Sequence, residues 1–151
     1  MSDASEAPPR ALELLLVEDN PGDVELVREA LHDLPPLRLS VVHDGVEALA
    51  FLRGEGRHVG APRPDLVLLD LNLPKLDGLG VVGEAKRDAA LRDIPIVMLT
   101  SSRAAGDVRR AYASHVNCYV AKPVDLDEYF ATVRAIVEFW GTVALRPRGD
   151  D

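Results

Sequence analysis

The sequence predicts an α/β protein built on an open, doubly wound sheet of five parallel strands. Short apolar runs alternate five times with segments of helical period along the 151 residues. The central run, Leu66 to Leu69, is uninterrupted and apolar, as a strand buried on both faces must be. Four of the five runs end on a charged or hydroxyl residue, the arrangement of an α/β sheet whose site lies at the carboxyl ends of its strands.

Residues 1–11, with Pro8-Pro9 and scattered acids, have little to bury and read as a mobile lead-in. The first strand, 12–17, runs into Glu18-Asp19, and Asn20-Pro21-Gly22-Asp23 is a loop and helix-start signal. An amphipathic helix follows over 22–34, with Val24, Val27, Leu31 and Leu34 near one face, and Pro35-Pro36 stops it. The second strand is 37–42, and Asp44-Gly45 turns into a helix over 46–53. Residues 54–64, rich in Gly and Pro, read as a long exposed loop.

The third strand ends on Asp70, with Pro74 and Asp77-Gly78 closing the turn. The helix expected over 79–88 is weakened by Gly78, Gly80 and Gly83, each costing about 1 kcal/mol against Ala inside a helix, so this segment is expected to be loosely held. The fourth strand, 94–99, meets Thr100-Ser101-Ser102. A helix over 104–114 and a short strand over 118–121 follow, the latter ending at Lys122-Pro123. Asp125 is the expected N-cap of a last helix over 126–140, stopped by Gly141 and leaving 141–151 as a tail. The domain therefore runs over 12–140.

Composition excludes several function classes. A net charge of -8 and a pI of 5.0 oppose nonspecific binding to nucleic acid. No run reaches the roughly 20 apolar residues of a membrane span, and the first ten residues hold no signal-peptide core, so a cytoplasmic protein is expected. The single cysteine, Cys118, makes neither an internal disulfide nor a multi-cysteine metal site and reads as a small buried hydrophobe. His32, His43, His58 and His115 lack metal-ligand spacing.

The chemistry lies at the strand ends. Glu18, Asp19 and Asp70 on neighbouring ends would repel one another unless a cation sat among them, and all-oxygen ligands suit Mg²⁺ or Mn²⁺. With Lys122 to pair with a phosphate and Thr100 to donate a hydrogen bond, Asp70 has the surroundings of a carboxylate that attacks phosphorus.

Glu18-Asp19, Asp70, Thr100 and Lys122-Pro123 together resemble the receiver domain of two-component response regulators, over roughly residues 12–140. The resemblance implies a flavodoxin-like fold with strand order 2-1-3-4-5. It implies that Asp70 accepts a phosphoryl group from a sensor histidine kinase, and that Mg²⁺ is bound by Asp19, Asp70 and the Asn72 carbonyl, with Glu18 acting through water. It further implies a cis Lys122–Pro123 bond and a switch pair, Thr100 and Tyr119, read out by the face of the fourth helix, fifth strand and fifth helix. Taken residue by residue, Tyr119 is equally a packing residue. Asn72 and Ser102 lie where the family tunes the lifetime of the aspartyl phosphate.

A narrower likeness, to the stand-alone regulators of bacterial phytochrome kinases, rests on Leu16 to Asp23, the long 54–64 loop, Lys122 to Asp127, and Phe139-Trp140. A protein target downstream is expected. Surplus apolar residues, Phe139, Trp140, Val143 and Leu145, point to a homodimer. Two other readings stand beside a phosphorelay receiver: a receiver-like module that docks without phosphorylation, and an aspartate-nucleophile phosphatase. The phosphatase would want a second acid at position 72, where the chain has Asn.

Overall fold

Residues 11–34 and 36–147 are described by the computed structural model. The expected lead-in, save Ala11, and the last four residues of the expected tail lie outside the described residues. The elements run β1 (Leu12–Val17), α1 (Pro21–Leu31), β2 (Leu37–Val42), α2 (Gly45–Arg53), β3 (Leu66–Leu69), α3 (Gly78–Arg87), β4 (Ile96–Thr100), α4 (Ala105–Ala113), β5 (Cys118–Ala121) and α5 (Leu126–Glu138). All five strands pair in parallel in the order β2-β1-β3-β4-β5, as expected. The chain moves outward from β1 to β2 and then returns across β1 to β3. That reversal opens the crevice between the carboxyl ends of β1 and β3.

Alternation along the central strands divides the core into two layers. Leu14, Leu16, Leu66, Leu68, Val97 and Leu99 face α1 and α5, while Leu15, Val17, Val67, Leu69, Ile96 and Met98 face the layer of α2, α3 and α4. These residues are at most 3% exposed. Each buried Leu or Ile contributes about 1.5–3 kcal/mol against its exposed state, which fixes the register of the strands. Among the described residues no helix is long and apolar enough to cross a membrane.

Capping sets where helices begin. The Asn20 side chain accepts from Gly22 N at 2.8 Å and Asp23 N at 3.2 Å, with Pro21 in the first turn. α1 ends at Leu31 rather than Leu34, because a residue followed by Pro is driven out of the helical region. Asp44, Asp77 and Asp125 cap α2, α3 and α5.

α3 corrects the expectation of a loosely held segment: Val81, Val82 and Ala85 are at most 1% exposed. Its first glycine is an approach point, since a Cβ on Gly78 would lie 2.4 Å from the Asp70 carbonyl oxygen. The chain also continues past Gly141, through a π-helical turn over Phe139–Val143 in which Thr142 Oγ1 donates to the Glu138 carbonyl. One glycine costs too little to end a helix on its own. Beyond the turn Arg146 pairs with the buried Asp65 at 3.2 Å, so this part of the expected tail is fastened to the start of β3. Cys118 is half-buried rather than buried, because β5 is an edge strand.

Candidate functional site

The acidic site is assembled by backbone ties at the strand ends. Glu18 N donates to the Val42 carbonyl at 3.0 Å and Asp70 N to the Val17 carbonyl at 3.2 Å, extending the sheet by one residue at β1 and β3. Lys122 N donates to the Thr100 carbonyl at 2.8 Å and does the same for β5. Five expected site residues, Glu18, Asp19, Asp70, Thr100 and Lys122, thereby line one open cleft of about 410 Å³, together with Asn72.

Asp70 presents its two oxygens differently. Oδ1 accepts from Leu71 N at 2.7 Å, which orients the carboxylate, while Oδ2 faces Lys122 Nζ at 3.9 Å, beyond hydrogen-bond length. Lys122 is instead bound by Glu18 Oε1 at 2.9 Å and Asp23 Oδ2 at 3.0 Å. Burial alone would lower the pKa of this ammonium, but Glu18, Asp70 and Asp23 outweigh burial and raise it. Glu18 is 3% exposed, and burial, reinforced by the nearby Asp70, holds its pKa above the ordinary value despite Lys122.

One carboxylate oxygen from each of Glu18, Asp19 and Asp70 lies within 4.8 Å of the other two. Mg²⁺ bonds oxygen at about 2.1 Å, so a single ion spans directly bound oxygens about 4.2 Å apart. The three acids therefore fit a hard divalent cation with little displacement, and such an ion relieves the cost of ionising the buried Glu18.

Thr100 is the last residue of β4 and is 0% exposed, its Oγ1 lying 3.5 Å from Ser102 N. Ser102 holds the loop after it: Oγ donates to Asp107 Oδ2 at 2.5 Å and accepts from Ala104 N at 3.3 Å. This replaces a side-chain cap that Ala104 cannot supply to α4. The Ser102 hydrogen bond, followed by Arg110, keeps the Asp107 carboxyl below its usual pKa. Tyr119 reaches this same loop, its hydroxyl donating to the Ser102 carbonyl at 2.9 Å, while its backbone N–H donates to Tyr112 Oη at 3.0 Å. Tyr119 therefore stands outside the acidic cleft and is linked to Thr100 through the loop.

One expectation needs amendment and one cleft residue was not foreseen. The Lys122–Pro123 bond is trans, since no cis peptide bond occurs among the described residues. Trans is the intrinsically favoured isomer by about 0.5–1 kcal/mol, and Lys122 already has two carboxylate partners in that arrangement. Asp23 is a cleft residue that the strand-end pattern did not flag, because it sits in the first turn of α1. The available signal was the Asn20-Pro21 helix start, which places position 23 one turn into a helix that opens at the strand ends.

Comparison with known proteins agrees with this geometry. The model of the response regulator receiver domain matches residues 14–134. Response regulator Rcp1 of Synechocystis is 45% identical over 141 residues, covering 93% of this chain and 94% of that protein. The crystal structure of the phosphorylated cyanobacterial phytochrome response regulator RcpA superposes with a TM-score of 0.89 at 45% identity, covering 92% of this chain and all of the other. The Mn²⁺-bound form of Rcp1 gives 0.86 at 42% identity, covering 91% and 99%. A matching family model over most of the chain, a full-length relative and the strand-end acids converge, and the chain belongs to the response regulator receiver family.

Proposed function

We propose that this chain acts in the cytoplasm as the phosphoacceptor of a two-component relay, with Asp70 taking a phosphoryl group from a sensor histidine kinase of the bacterial phytochrome type. The observation that carries the reading is the oriented Asp70 carboxylate, one oxygen held by Leu71 N and the other turned into a cleft shared with Lys122, Glu18 and Asp19. The phytochrome pairing is supported by the likeness to Rcp1 and RcpA.

In the reaction an Asp70 oxygen attacks the phosphorus of a phosphohistidine. A P–O bond forms while the P–N bond breaks, and the electron pair of that bond returns to the imidazole nitrogen of the kinase. Glu18, Asp19, Asp70 and the Asn72 carbonyl would hold Mg²⁺, which supplies neutralisation of charge on the transferred group when bound. Lys122 offers an ammonium to the phosphoryl oxygens, and the Thr100 hydroxyl a further donor.

The acyl phosphate adds charge and acceptor oxygens at the end of β3. Satisfying them draws in Thr100 and the loop after it, and the Tyr119 hydroxyl on the Ser102 carbonyl links that loop to β5. The surface of α4, β5 and α5 then carries the signal to a protein target and serves as a homodimer contact. Half-exposed Tyr112 and Leu126 support an interaction role for this surface.

The test is phosphorylation by acetyl phosphate with Mg²⁺. The wild-type chain is expected to form a hydroxylamine-labile acyl phosphate and Asp70→Asn none. Equal incorporation by Asp70→Asn would overturn the assignment of Asp70, and none by the wild type under either acetyl phosphate or a phosphorylated kinase would leave the docking role instead.

A further inference from the structure

Lys122 is the only cationic side chain lining the acidic cleft among the described residues, and of the three carboxylates around its ammonium it hydrogen-bonds two. Its ammonium is held by Glu18 at 2.9 Å and Asp23 at 3.0 Å, while Asp70 Oδ2 stands off at 3.9 Å. Glu18 belongs to the proposed metal set, whereas Asp23 does not. Asp23 is also fixed in place: its own N–H donates to the capping Asn20 side chain at 3.2 Å in the first turn of α1. The Lys122 side chain is only 10% exposed, so its partner is settled by the protein rather than by water.

The geometry points to Asp23 as a positioning residue that tethers the Lys122 ammonium on the α1 side of the cleft, away from Asp70, until a phosphoryl group arrives to claim it. The inference rests on Asp70 being the phosphoacceptor. Lys122 makes its most useful contact in the transition state, where charge spreads over the phosphoryl oxygens, and holding it at Asp23 stabilises only the resting state. Asp23 thus restrains phosphorylation. It touches neither donor nor reacting atoms and acts through Lys122.

The test compares acetyl phosphate labelling at saturating Mg²⁺ in the wild type, Asp23→Ala, Asp23→Glu and Lys122→Gln, with Asp70→Asn as control. Asp23→Ala is expected to raise the maximal labelling rate about three- to fivefold, the scale of one partly screened ion pair. Asp23→Glu, which keeps the charge on one more methylene, is expected to return the rate to near that of the wild type. Adding Asp23→Ala to Lys122→Gln is expected to change nothing, because the tethered group is gone. In the metal-free protein the ¹⁵Nζ resonance of Lys122 is expected to shift on Asp23→Ala.

If Asp23 acted only through general electrostatics, Asp23→Ala would instead lower the half-saturating donor concentration, and its effect would persist in the Lys122→Gln background. That outcome overturns the tether, as does an unchanged or slower rate in Asp23→Ala or an unmoved Lys122 resonance. Failure of the wild type to be labelled, or labelling of Asp70→Asn, strikes the phosphoacceptor reading itself and is distinguishable from failure of the tether.

Discussion

Gly78→Ala is the substitution that most directly tests how the fold holds Asp70 in place. A Cβ at Gly78 would lie 2.4 Å from the Asp70 carbonyl oxygen, 2.9 Å from Leu71 Cα and 3.2 Å from the Asp70 carbonyl carbon. All three are backbone atoms, so no rotamer change relieves the overlap. The β3–α3 turn must move, against Gly78 N donating to the Leu71 carbonyl at 2.8 Å and the capped start of α3. Overpacking of this kind costs about 1–3 kcal/mol. For a chain of this size that lowers the melting temperature by about 2–12 °C.

Two nearby glycines supply internal controls. A Cβ on Gly80 would press on the Leu76 side chain at 2.4 Å, which can turn aside, and one on Gly83 would meet only the tip of Arg87 at 3.2 Å. Gly83→Ala should therefore be neutral or gain up to about 1 kcal/mol of helix propensity, and the expected order of destabilisation is 78, then 80, then 83. Because the displaced atoms carry the Asp70 side chain, Gly78→Ala should also slow acetyl phosphate labelling by about tenfold or more. Thermal melts followed by circular dichroism, with labelling rates on the same samples, decide the matter. Gly78→Ala melting no lower than Gly83→Ala would refute the argument from close approach.

Two further predictions concern buried polar groups outside the β3–α3 turn. Tyr129 is 5% exposed with its hydroxyl unbonded, and burial, together with nearby acids and against the influence of Lys122, pushes its pKa up from 10.0 to about 12. Between pH 10 and 12 the unfolded phenol ionises while the folded one stays neutral, so the unfolded chain binds fewer protons and stability falls by about 2–3 kcal/mol. Urea denaturation should record that fall in the wild type, a shallower one in Tyr129→Phe, and a difference within about 1 kcal/mol between the two at pH 7. Arg146→Ala removes a guanidinium, itself 15% exposed at the side chain, from the buried Asp65, which also accepts from Glu13 N at 2.9 Å. The expected cost is about 1–3 kcal/mol, read as a lower urea midpoint, and Asp65→Asn in the Arg146→Ala chain should recover part of it.

The elements of this protein are written locally. Apolar runs such as Leu66 to Leu69 and the helix starts at Asn20, Asp44 and Asp125 depend on near neighbours alone, and the structure places strands and helices there. The strand-end residues Glu18, Asp19, Asp70, Thr100 and Lys122 were legible for a related reason: in a doubly wound sheet every strand ends on the same side, so residues at run ends converge without knowledge of their contacts.

Contacts between distant side chains were decided only by the tertiary structure. Lys122 binds Asp23 across 99 positions of sequence, and no local pattern says which of several acids a long flexible side chain will choose. The closeness of Gly78 to the Asp70 carbonyl follows from how α3 packs under its strand, and in the sequence the same glycine reads as a weakness. The chain beyond Gly141 reads as a tail until Arg146 meets Asp65, a partner set by the position of the β3 entrance in space. Periodicity and charge at run ends determined the fold class and the strand ends that form the site, whereas the pairing of charges within it depended on distances that exist only once the sheet has formed.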